Sequence, residues 1–139
     1  MCDFGFSCKF NDIEEKYLCG SPYWMSPELC AGRKFNEKVD IWAFGITLLE
    51  LADGEPPHMD LSTDEILKLV SKGSPPQLKQ PTKWSENFQD FIGSCLKFNA
   101  NERKSANELL NHSFIKNNLK KNMDIFSIVT SKEKEIINM

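Results

Sequence analysis

The 139-residue chain is 40% hydrophobic and 27% charged, an ordinary balance for a soluble domain that excludes disorder over most of its length. A formal charge of −3 leaves no global basic field for nucleic acid or an anionic membrane surface. The five cysteines are odd in number and form no C-x-x-C pair, so reduced thiols are expected rather than a disulfide framework or a zinc site, and neither a signal peptide nor a membrane span is expected from these residues.

In chain order, residues 1–25 mix Gly, Ser, Asn, Asp and charge without a sustained period and read as loop. Ser26 to Ala31 forms one short helical turn, started by Pro27 at a first helical position and ended by Gly32. The strongest helix follows at about 37–53, with Asn36 as its expected cap and Gly54, Pro56 and Pro57 as its terminator. Its apolar residues form two stripes, Val39, Trp42, Ile46 and Leu49 on one side and Ile41, Phe44, Leu48 and Leu51 on another. Apolar side chains nearly all round predict that this helix is a buried axis. Ser62-Thr63-Asp64-Glu65 has capping-box spacing and opens a helix at about 63–72. Ser85 caps a helix at about 86–97 whose Phe88, Phe91, Ile92, Cys95 and Leu96 share one core face. A second capping box, Ser105 to Glu108, opens a helix at about 105–111. Residues 117–139 are rich in Lys and Asn, with one apolar cluster from Ile125 to Val129, and read as a tail after a domain of residues 1–116.

Two motifs near the start carry chemistry: Asp3-Phe4-Gly5, and the run from Gly20 to Glu28, GSPYWMSPE. Alone, the tripeptide is a turn that recurs by chance in about one window per several thousand. In company it says more. Gly20 to Glu28 resembles the GTPYWMAPE segment of the sterile-twenty group of Ser/Thr protein kinases, and Val39 to Gly45 resembles the helix that follows it. Glu50 to Pro57 is similar to the EGEPP region of the PAK-type members. Cys95-Leu96, Asn101-Glu102-Arg103, Glu108-Leu109-Leu110 and His112-Ser113-Phe114 resemble the closing helices in the same order, so the resemblance covers residues 2 to about 116.

The resemblance implies a mainly α, partial protein-kinase-like fold: the C-terminal lobe from the activation segment (3–28) to the last helix, with the N-lobe and catalytic loop absent from these residues. It makes Asp3 the magnesium-binding residue of an intact kinase, with Gly5 a hinge beside it. Phe6 accompanies a preference for Ser acceptors. Ser21 contacts the catalytic loop, and Ser21, Pro22, Trp24 and Glu50 face the protein substrate. Glu50 reads equally as a surface carboxylate. Glu28 pairs with Arg103, either buried and worth about 3 to 5 kcal/mol when broken, or on the surface and worth about 0 to 1 kcal/mol. Asp40 hydrogen-bonds the catalytic loop in the family; otherwise it is a solvated first-turn Asp helped by the helix dipole. Tyr17 and Ser21 are candidate phosphosites, with Tyr17 standing where the family usually has Thr. Cys2 reads as an inert small side chain rather than a reactive thiol, and His58 and His112 as structural.

Mg-ATP is the cofactor of the intact family. No Gly-rich loop, ATP-binding Lys or HRD-type catalytic loop occurs in this sequence, so this chain alone is expected to bind no nucleotide and to be catalytically incompetent. The chain is then the part of a kinase from the DFG motif onward. The alternative is a non-catalytic kinase-lobe remnant that acts as a protein-binding module. Expected partners are a protein substrate and regulatory proteins, with no nucleic acid or membrane. Marginal stability, self-association through an exposed core face, and a cytoplasmic location complete the expectations.

Overall fold

The computed structural model describes residues 20–119. These form six α-helices and three short 3-10 turns with no β-strand among the described residues: α1 (Pro27–Cys30), α2 (Lys38–Asp53), α3 (Thr63–Lys72), α4 (Glu86–Cys95), α5 (Ala106–Leu110) and α6 (Ser113–Leu119). The turns are Pro22–Trp24, Pro81–Lys83 and Ala100–Glu102.

Local chemistry sets the helix ends. The Asn36 side chain accepts the Lys38 N–H at 3.1 Å, which occupies one of the donors that a helix start leaves over. At the other end of α2, Gly54 adopts φ 86°, where a residue with a Cβ is strained, and its N–H closes the last turn on the Glu50 carbonyl. Both capping boxes form: the Glu65 carboxylate accepts the N–H and hydroxyl of Ser62, and the Glu108 carboxylate those of Ser105.

The core is the crossing of α2 and α4. Trp42, Ile46 and Leu49 of α2 pack with Phe88, Phe91, Ile92 and Cys95 of α4, then Leu96 and Leu109. Gly45 makes the close crossing possible, because a Cβ there would lie 2.8 Å from Leu96 Cδ2 and 2.9 Å from Cys95 Cβ. The α6 helix closes the far side through Phe114, whose ring lies 5.0 Å from that of Phe88 and 5.2 Å from that of Phe91. Each large apolar side chain buried in this way contributes about 1.5 to 3 kcal/mol.

Three differences from the sequence reading have physical causes. The α2 helix is not buried all round: Trp42, Ile46 and Leu49 are buried, whereas Phe44 and Leu51 of the second stripe are 44% and 76% exposed. Two stripes make a buried axis only if packing partners cover both completely; here Ile41 and Leu48 of the second stripe pack partly against the core, and Phe44 and Leu51 are left exposed. The fourth helix ends at Cys95 rather than 97, because Leu96 leaves helical geometry (φ −97°, ψ 60°) and the Lys97 carbonyl is turned to accept the Arg103 Nε–H. Past residue 116 the chain stays helical to Leu119. That last helix is started by a side chain, since His112 Nδ1 accepts the Phe114 N–H while Nε2 lies 2.9 Å from Asp90 Oδ2. The structural reading of His112 rests on these two bonds, and His58 stands in an exposed turn with φ 61°.

Candidate functional site

The segment from Gly20 to Glu28 is shaped by its two prolines. Pro22 starts a single 3-10 turn that the Trp24 N–H closes on the Ser21 carbonyl at 3.1 Å. Ser21 is exposed before that turn, in extended backbone. Tyr23 and Trp24 pack edge to face at 6.2 Å, and the Tyr23 hydroxyl donates to the Leu61 carbonyl at 2.7 Å, which ties this turn to the loop ahead of α3. Chain direction then reverses inward: Met25 and Ser26 are buried and Pro27 begins α1. Ser21, Pro22 and Trp24 thus share one half-exposed turn.

Glu28 lies in that helix at 8% exposure and Arg103 at 1%. The Arg103 Nη1 donates to Glu28 Oε1 at 2.6 Å and Nη2 to Oε2 at 2.7 Å, a bidentate pair between residues 75 positions apart. The remaining guanidinium hydrogens are also used: Nε donates to the Lys97 carbonyl at 2.8 Å, Nη1 to that of Lys38 at 2.9 Å and Nη2 to that of Phe98 at 3.3 Å. All five donors of the group are therefore occupied. The Trp42 ring lies against the guanidinium at 5.0 Å, and the Lys38 ammonium donates to the Arg103 carbonyl at 2.5 Å. Of the two readings of this pair, the geometry is the buried one. It clamps α1, the start of α2 and the turn after α4 into one unit.

The other expected site residues are not gathered around it. Asp40 is exposed, and its carboxylate makes no hydrogen bond or ion pair among the described residues. Its carboxyl is nevertheless pushed above its usual value, first by partial burial of the group and second by the neighbouring Glu37. Glu50 is half-buried near the end of α2, and its carboxylate has no partner among the described residues. Asp3, Phe6, Cys2 and Tyr17 lie outside the described residues.

Magnesium with a nucleotide needs several oxygen donors in one place. Among the described residues no three His, Cys, Asp or Glu side chains gather in a way that holds a metal ion. The described residues do not fit that group by themselves. Two cysteines are described: burial pushes the Cys30 thiol up to about 11 and the Cys95 thiol up to about 12, which leaves both poor nucleophiles.

Sequence reasoning missed two connections, Tyr23 to Leu61 and Lys38 to Arg103. Each joins a side chain to a backbone carbonyl far away in sequence, and a carbonyl carries no residue signature. No described helix is long and apolar enough to cross a membrane.

Compared with known protein families, residues 1–115 match the protein kinase domain. The chain is 43% identical over 117 residues to the serine/threonine-protein kinase pakC of Dictyostelium discoideum, covering 83% of this chain and 24% of that protein. It is 37% identical over 135 residues to pakB of the same organism, covering 96% of this chain and 16% of that protein. It is 40% identical over 119 residues to the serine/threonine-protein kinase cst-1 of Caenorhabditis elegans, covering 84% and 24%. The chain spans a quarter or less of the length of these curated relatives.

Proposed function

We infer, on the premise that this chain belongs to the protein kinase family, that residues 1–116 serve as the substrate-side part of a serine/threonine kinase lobe. The observation that carries this reading is the buried bidentate pair of Glu28 and Arg103, which anchors the Gly20–Glu28 segment to the helical body. An anchored segment is what acceptor positioning requires, because catalysis of phosphoryl transfer is mostly positioning and electrostatics.

In this reading Ser21, Pro22 and Trp24 present the surface on which the acceptor peptide lies. Glu50 attracts a basic residue of that peptide, which its unpartnered carboxylate supports. Asp40 accepts hydrogen bonds from a catalytic loop, and its raised carboxyl pKa without partners supports that role. Asp3 holds magnesium in a complete kinase, and Tyr17 or Ser21 is the phosphorylation site. Mg-ATP supplies the phosphoryl group when a Gly-rich loop, its Lys and an HRD-type loop are present. The 139 residues by themselves transfer no phosphate, and the protein acts in the cytoplasm on a protein substrate.

The test is a graft. Residues 1–116 replace the matching segment of pakC, and the chimera is assayed with radiolabelled ATP on Ser, Thr and Tyr peptides. Phosphorylation of Ser and Thr peptides is expected; a folded chimera without activity, or one that labels Tyr, overturns the reading. The 139-residue chain alone is expected to show no thermal shift with Mg-ATP, and a clear stabilisation refutes its incompetence.

A second reading, a non-catalytic lobe that binds protein, is favoured by the apolar face of α2 left open at Phe44 and Leu51. Sedimentation of the 139-residue chain tests its simplest form: concentration-dependent self-association lost in Phe44→Ser/Leu51→Ser supports it, and a monomer at all concentrations refutes it.

A further inference from the structure

The peptide group between Leu61 and Ser62, just ahead of α3, is fixed from both sides. On one side His58 takes φ 61°, a left-handed geometry uncommon for a residue with a Cβ, and its carbonyl accepts the Leu61 N–H at 3.0 Å. On the other, the Ser62 N–H donates to Glu65 Oε2 at 3.0 Å in the capping box of α3. That N–H lies in the same peptide plane as the Leu61 carbonyl, so holding one orients the other. The carbonyl is an acceptor kept in one place, and it accepts the Tyr23 hydroxyl at 2.7 Å.

The packing of α3 gives this bond a direction. Ile66, the one buried side chain of α3, is not part of the α2–α4 core cluster, although Val70 packs partly against it. The main contacts of α3 are instead with α1 and with the Pro22–Trp24 turn. Half-buried Tyr23 also meets the Trp24 ring edge to face at 6.2 Å, so a shift of one ring is passed to the other. The turn that carries Ser21, Pro22 and Trp24 is thus braced at its Glu28 end by Arg103 and near its exposed end by Tyr23.

We propose that Tyr23 is a positioning residue for the acceptor peptide: its hydroxyl, latched on the Leu61 carbonyl, sets where the Ser21–Trp24 turn stands. This rests on the reading of that turn as the substrate-facing surface. The hydroxyl is committed to Leu61, so Tyr23 acts on the peptide through its neighbours. Without the latch the turn samples more orientations, and a peptide that binds must first select one of them, which weakens its binding in proportion to the fraction of competent turns. The step of phosphoryl transfer itself, once the peptide is bound, is unaffected.

Two measurements test this. In the 139-residue chain, hydrogen exchange of Tyr23→Phe is expected to be at least about fivefold faster at the Trp24 and Met25 amides, which close the turn on Ser21 and Pro22, and unchanged in α4. Phe keeps the ring and its contact with Trp24, so only the bond is lost. In the pakC chimera, Tyr23→Phe is expected to raise the KM for a Ser peptide about three- to tenfold, the size of one net hydrogen bond, with kcat and the KM for ATP within about twofold. Glu65→Ala, which frees the peptide plane of the acceptor, is expected to shift the same KM in the same direction and to add little on top of Tyr23→Phe. Unchanged exchange at Trp24 and Met25, an unchanged peptide KM, or a fall in kcat alone overturns the role of Tyr23 and leaves the reading of the turn intact. An inactive parent chimera overturns that reading, and the role of Tyr23 with it.

Discussion

Replacing Arg103 with Met tests the central physical claim. Met keeps much of the volume and apolar contact with Trp42 but removes every donor. Glu28, at 8% exposure, is then a buried carboxylate without a partner, and three carbonyls at Lys97, Lys38 and Phe98 lose theirs. Removing one partner of a buried pair costs about 3 to 5 kcal/mol, mainly from the charge left behind. The carbonyls add less, because they relax toward water at the surface. Against a total stability of about 5 to 15 kcal/mol this is a large fraction. For a body of this size it corresponds to a melting temperature lower by about 15 to 30 °C.

The measurement is urea denaturation followed by far-UV circular dichroism, run as a double-mutant cycle with Glu28→Gln. In the double variant no buried charge remains, so its loss is expected to be at least about 2 kcal/mol smaller than the sum of the single losses. A single-variant loss under about 1 kcal/mol, or strict additivity, refutes the buried reading and returns the pair to surface status.

At the helix crossing, Gly45→Ala is expected to destabilise by about 1 to 3 kcal/mol despite Ala's better helix propensity, because the new Cβ meets Leu96 and Cys95 below 3.0 Å; equal or higher stability in the same titration contradicts the packing. Asp40→Asn is expected to raise the melting temperature at neutral pH. A carboxyl raised above 3.8 in the folded state binds its proton more readily there than in the unfolded chain, so ionised Asp40 opposes folding above that range, and the gain disappears as the pH falls below it. A lower melting temperature at neutral pH means that the helix dipole outweighs desolvation. Thiol labelling read out by mass spectrometry at mildly alkaline pH is expected to spare Cys30 and Cys95 until the chain unfolds, and rapid native labelling of either refutes their burial-raised pKa values.

Much of the fold was legible because helix starts and stops are written in short polar and glycine signals. Ser62 with Glu65, Ser105 with Glu108, and Gly54 act within three or four residues of themselves, so their effect survives any tertiary context. The core face of α4 was legible for a similar reason, since period alone places Phe88, Phe91, Ile92 and Cys95 together. The end of α4 was not, because the distant Arg103 takes the Lys97 carbonyl. For the candidate site, motif order singled out Glu28 and Arg103 but left open whether their pair is buried or on the surface.

By itself, then, the amino-acid sequence determined the family and the helical elements, since each rests on local pattern or motif order. Only the tertiary structure decided that the ion pair is buried with all five guanidinium donors used, that one stripe of α2 is covered while Phe44 and Leu51 of the other are exposed, and that Asp40 stands exposed. Burial, desolvation and shared hydrogen-bond acceptors depend on what the rest of the chain brings near a residue, and sequence neighbours carry no record of that distance.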